Sequence, residues 1–118
     1  MAWPDSGTGE SEATIGTAQT HTTIAAWEAD TDINCVTGTV SPIGVINVAE
    51  EFDEASVTFS GATTNSTYFR KLTVAAAARH DGLTSTGAFY TGGMLTIGQE
   101  NWFVLEWLGS YLESTGNV

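Results

Sequence analysis

The stretch SVTFSGATTNSTYFRKLTV, residues 56–74, decides the fold. In Ser56-Val57-Thr58-Phe59-Ser60 apolar and polar residues alternate strictly, so Val57 and Phe59 share one face of a strand that Gly61 ends. A Thr/Asn-rich link leads into residues 68–74, where Tyr68, Arg70, Leu72 and Val74 alternate in part with Phe69, Lys71 and Thr73 and predict a second strand. Upstream, Ile43-Gly44-Val45-Ile46-Asn47-Val48 is β-branched and reads as a strand with both faces buried. Downstream, Met94-Leu95-Thr96-Ile97 and WFVLEWL, residues 102–108, are the most hydrophobic strands, separated by a turn at residues 98–101. The alanine run of residues 75–78 precedes the turn Arg79-His80-Asp81-Gly82 and is expected to be strand end and loop.

One helix is expected. In THTTIAAWEAD, Ile24 and Trp27 stand at i, i+3 spacing behind hydroxyl residues, so Thr22 or Thr23 caps a helix of about two turns with Ile24 and Trp27 facing inward. Composition agrees with an all-β class, since the chain holds 19 Thr, 9 Ser and 13 Gly but few Lys, Arg, Gln or Leu. With 118 residues, 42% of them hydrophobic and 14% charged, a single folded domain over residues 14–118 is expected. Residues 1–13 are polar and without period and are expected to be a flexible arm, with Trp3-Pro4 as its one possible anchor.

Charge narrows the function classes. Fourteen acidic and three basic residues give a net charge of -11, which repels a polyphosphate backbone and argues against nucleic acid as a partner. Residues 1–69 hold ten carboxylates and no Lys or Arg, whereas Arg70, Lys71 and Arg79 fall in one short window. Those cations either neutralise neighbouring acids or form a docking patch, and the first is the simpler reading. No apolar run reaches 18 residues, and MAWPDSGTGE lacks the basic start and apolar stretch of a secretory signal. A soluble protein without a membrane partner is therefore expected.

Catalytic and metal patterns are weak. His21 and His80 lie far apart and Cys35 is the single cysteine, so there is no zinc spacing and no disulfide framework. Asp30-Thr31-Asp32-Ile33-Asn34 opens like a calcium loop, but Cys35 stands where Gly is needed and Ser41 where Glu is needed. The run Glu50, Glu51, Asp53 and Glu54 offers oxygen ligands for a weak calcium site, against which stands the ordinary solvated charge run. Arg79-His80-Asp81 near Ser85 lacks a nucleophile-elbow sequence. Asn65-Ser66-Thr67 fits a glycosylation acceptor but reads better as a turn. No enzyme activity, cofactor or metal is expected.

Taken in order, THTTIAAWEA, AEEFDEA, VTFSGATTNSTYFRKLTVAAAARHDG, TGAFY and ENWFVLEWL resemble the beginning of right-handed parallel β-helix (pectin-lyase-like) proteins of bacteriophages and bacteria, over residues 14–108. The resemblance implies a virion or cell-surface setting and a short parallel β-helix-like stack with one N-terminal capping helix, the alternative being a β-sandwich. Stacked folds bury each turn against the next, so Trp102, Val104, Trp107 and Leu108 near the end of the chain are expected to lack a cover. The expected function is a structural, non-enzymatic interaction protein, such as a phage decoration, cement or fibre component. It self-associates or docks on a capsid or tail protein through Trp3, Trp102, Phe103, Val104, Trp107 and Leu108. The competing expectation is a carbohydrate-binding or carbohydrate-cleaving module that stacks Tyr68, Tyr90 and Trp102 on a glycan.

Overall fold

The computed structural model describes residues 7–79, 87–91, 93, 95–98 and 100–110, and over these the chain is mainly β. Its elements are β1 (Glu10–Ile15), α1 (Ile24–Asp30), α2 (Cys35–Gly38), β2 (Ser41–Ile46), β3 (Glu51–Asp53), β4 (Val57–Phe59), β5 (Arg70–Val74), β6 (Phe89–Thr91), β7 (Leu95–Ile97), β8 (Phe103–Leu105) and β9 (Gly109–Ser110). They form three small parallel sheets, ordered β1-β2-β5-β8, β3-β6-β9 and β4-β7. Among the described residues every strand pairing is parallel, unlike the antiparallel sheets of a β-sandwich.

The expected strands over 56–60 and 68–74 are present with tighter bounds. Val57 and Phe59 are buried and Thr58 is exposed, as the alternation requires. In β5, Arg70, Leu72 and Val74 are buried while Lys71 and Thr73 are half-buried. That strand starts at Arg70 instead of Tyr68 because Asn65 Oδ1 accepts from Thr67 N and Tyr68 N, at 2.9 and 2.8 Å, and holds the preceding residues in a turn. β2 lies between β1 and β5 and is buried at every position except the half-buried Val45.

Four expectations are corrected. Residues 10–13, read from composition as part of a flexible arm, belong to β1, which pairs with β2 from Glu10↔Ser41 to Ile15↔Ile46. The backbone supplies that pairing, and Glu10, Ser11 and Glu12 remain exposed, so the polar side chains conceal a strand. Residues 76–78 form a 3-10 turn, with Ala78 N donating to Ala75 O at 2.8 Å. The single strand expected over 102–108 is shortened to β8, and past a corner at Trp107, whose φ is +66°, the chain enters β9 in a different sheet. The one-turn helix α2 has no sequence period to announce it; Asn34 Oδ1 caps it by accepting from Thr37 N at 3.0 Å.

Helix α1 is capped as expected by Thr23, whose Oγ1 accepts from Ala26 N at 3.0 Å. Two further helix N–H groups, those of Ile24 and Ala25, donate to the Glu54 carboxylate at 2.8 and 3.0 Å. Ile24 and Trp27 are fully buried. Trp27 meets Phe59 and Phe103 edge-on, each at 6.4 Å between ring centroids, and lies against Gly44. The Trp27 side chain thus reaches across β2, β4 and β8 and faces inward, as the spacing requires. Around it the core gathers Ile15, Ile46, Phe59, Leu72 and Val74.

Candidate interaction surface

Parallel pairing places equivalent side chains of successive strands in columns, and two columns change character at their last member. Val57, Thr58 and Phe59 of β4 pair with Leu95, Thr96 and Ile97 of β7, so Ile97 continues the column of Phe59. Phe59 is fully buried, but Ile97 is 47% exposed. Gly44, Leu72 and Leu105 form the second column. Leu72 is fully buried and Leu105 is 38% exposed. Both exposed residues occupy core-facing positions on strands that are the last in their sheets among the described residues. Trp107, at the corner after β8, is 50% exposed.

The residues named from sequence divide on this surface. Trp107 is exposed; Trp102, Phe103, Val104 and Leu108 are half-buried. Phe103 packs on Phe59 with 4.7 Å between ring centroids, and Leu108 also packs against the core. Trp102 lies 6.2 Å from the Phe69 ring. Trp3 lies outside the described residues. Leu105 and Ile97 were missed, because their faces emerge only from the register with Leu72 and Phe59.

The three cations are engaged and do not make an open basic patch. Arg79 holds its guanidinium carbon 4.2 Å from the Trp107 ring centroid while its Nε donates to Val74 O at 2.9 Å. Lys71 Nζ lies 3.1 Å from Glu106 Oε1, which also accepts from Thr73 Oγ1 at 2.9 Å. Burial alone pushes the Glu106 carboxyl up, but the hydrogen bonds from Thr73 and Lys71 and the charges of Lys71 and Arg79 outweigh it and hold the group below its ordinary value. Arg70 is fully buried: Nε and Nη2 grip both oxygens of Glu100, and Nη1 reaches Glu28 O, Glu28 Oε2 and Thr31 Oγ1 at 3.1, 3.2 and 3.1 Å. Burial pulls the guanidinium down, yet its carboxylate partners more than restore it and the charged form prevails.

Much of the acidic run is likewise committed. Glu50 accepts from Thr17 N and Thr17 Oγ1, each at 2.8 Å, Glu51 accepts from Thr91 Oγ1 at 2.7 Å, and Glu54 caps α1. With Thr17, Thr22, Thr23 and Phe52 these carboxylates line a shallow polar recess. Among the described residues, no group of three or more His, Cys, Asp or Glu side chains is gathered to hold a metal ion. His21 Nε2 stands 3.1 Å from Asp30 Oδ2, whereas His80, Asp81 and Ser85 lie outside the described residues. Burial pushes the Cys35 thiol up, the reverse of an activated nucleophile.

The aromatics proposed to stack on sugar do not share an open face. Tyr90 is buried, and its hydroxyl donates to Ala55 O at 2.7 Å. Burial, with the Glu54 charge adding to it, pushes that phenol up. Tyr68 and Trp102 are half-buried. Among the described residues, no helix is long and apolar enough to cross a membrane. Comparison with protein-family models, curated proteins and solved structures finds no match to this chain.

Proposed function

We propose that this chain is a structural, non-enzymatic interaction domain, built as a short parallel β-helix-like stack that associates through its β7–β8 end. The observation that carries the reading is the pair of columns Phe59→Ile97 and Leu72→Leu105, buried at the inner member and exposed at the outer. An apolar residue in a core-facing position is satisfied by one more layer of apolar contact, which an associating chain supplies. Pairing order supports the stack itself: β2, β3 and β4 each meet, in parallel register, the strand that follows one circuit later, respectively β5, β6 and β7. A particle-bound role as a phage decoration, cement or fibre component draws its support from the resemblance in sequence.

The test is molar mass by light scattering across a concentration series, on the full chain and on Leu105→Asp and Trp107→Asp. The expected result is a discrete oligomer that both substitutions convert to a folded monomer. A wild-type chain that stays monomeric at every concentration rules out association between copies. An oligomer untouched by either substitution rules out this end as the contact.

A further inference from the structure

We propose that Arg70 is a coupling device: one buried guanidinium ties the seating of α1 to the register of β8, so that the two open and close as a unit. Arg70 belongs to β5, yet none of its charged partners does. Glu28 and Thr31 lie on and just beyond α1, and Glu100 lies just ahead of β8. The guanidinium carbon stands 5.8 Å from the Trp27 ring centroid and 5.7 Å from that of Phe103, so an aromatic ring from each element also flanks the charge.

The chemistry of the cluster enforces the coupling. The Arg70 and Glu100 side chains are fully buried and Glu28 is 15% exposed. If β8 departs and carries Glu100 away, the cation keeps only Glu28 and loses its bidentate partner inside the core. If α1 departs, the Glu28 and Thr31 contacts and the Trp27 face go together. Either half-open state strands charge in a low-dielectric interior, which is more costly than opening both elements and admitting water. A buried ionic cluster of this kind contributes less to stability than to fixing one arrangement against its neighbours. Here the arrangement fixed is the pairing Arg70↔Phe103, the first step of the β5–β8 register.

Amide hydrogen exchange tests the coupling. Three reporters are the Thr31 N–H bonded to Trp27 O at the end of α1, the Glu106 N–H bonded to Leu72 O beside β8, and the Ala75 N–H bonded to Ile46 O between β5 and β2. Thr23→Ala removes the hydroxyl cap of α1 and is expected to lower protection of Thr31 and Glu106 together, each about fivefold, with Ala75 unchanged. The same substitution is then made in an Arg70→Met, Glu100→Gln background, which leaves only Glu28, at the solvent-facing side of the cluster, without its cation; there Thr31 is expected to respond and Glu106 to stay still. The proposal is overturned if Glu106 ignores Thr23→Ala in the otherwise native chain, if all three amides fall equally, or if the Glu106 response survives without Arg70. Should that background not fold, Glu28→Gln replaces it, keeping side-chain size while cutting the charged link from α1. Loss of at least half of the Glu106 response is expected there, and an undiminished response overturns the proposal.

Discussion

Gly44 shows how closely the core is fitted around Trp27. A Cβ at Gly44 would stand 2.6 Å from Trp27 Cε2 and 2.8 Å from Ile15 Cδ1, so neither ring nor methyl has room for it. Gly44→Ala is expected to destabilise the chain by about 1–3 kcal/mol, through forced displacement of the indole. Gly38→Ala is the control: its Cβ would meet only Val40 Cγ1, at 3.4 Å, and its unfolding midpoint in urea is expected to stay near that of the native chain. A Gly44→Ala midpoint equal to that of the control refutes the steric argument. Trp27 itself carries a buried Nε1 that finds no hydrogen-bond partner among the described residues. Removing the whole side chain in Trp27→Ala is expected to cost about 3–5 kcal/mol. Trp27→Phe gives back the orphaned N–H as it loses volume, so it is expected to cost well under half as much, by the same urea measurement.

Among the elements, those with side chains that divide cleanly between two environments were legible. Val57 and Phe59 inward with Thr58 outward is a pattern the chain carries in three residues, and Thr23 ahead of Ile24 and Trp27 marks a helix start. β1 was hidden because its pairing uses the backbone, and the buried state of Arg70 was hidden because Glu100 and Glu28 lie 30 and 42 residues away. The split between β8 and β9 was hidden as well: a left-handed residue at such a corner is usually Gly or Asn, and this chain places Trp107 there. Arg79 stacked on the ring gives that corner a partner the local sequence does not announce. The join of β5 to β8 also has a pH signature. Glu106 is held below its ordinary value of 4.5 in the folded chain, so its contribution is present above pH 4.5 and is lost as pH falls through the depressed folded value. Stability is therefore expected to decline on the acid side of pH 4.5, and Glu106→Gln to make that decline shallower while leaving the neutral-pH side unchanged in slope. Equal acid slopes for the two proteins, from urea titrations at stepped pH, sever the Lys71–Thr73–Glu106 link from acid stability.

At the scale of the whole molecule, charge and apolar surface oppose each other. A net charge of -11 makes any two copies repel at distance, yet at the β7–β8 end the nearest charges among the described residues are largely balanced: Lys71 meets Glu106, Arg70 meets Glu100 and Arg79 covers Trp107. An association through Ile97, Leu105 and Trp107 thus draws its favourable term from apolar burial and its unfavourable term from long-range repulsion. Sodium chloride weakens the second and spares the first. Raising ionic strength from about 0.01 to 0.1 M shortens the screening length from roughly 30 to 10 Å, which removes most of the repulsion between distant carboxylates and leaves apolar contact intact. Self-association is therefore expected to strengthen with sodium chloride, the midpoint of the light-scattering series moving to lower protein concentration, and sulfate is expected to strengthen it further. A contact made instead by Lys71 or Arg79 against the acidic face of a second copy is screened by the same salt and must weaken. The sign of the salt dependence thus separates apolar stacking at the open columns from ionic docking. Leu105→Asp adds the discriminating variant: it inserts a charge where the column needs a hydrocarbon, so it is expected to abolish the association at low and high salt alike.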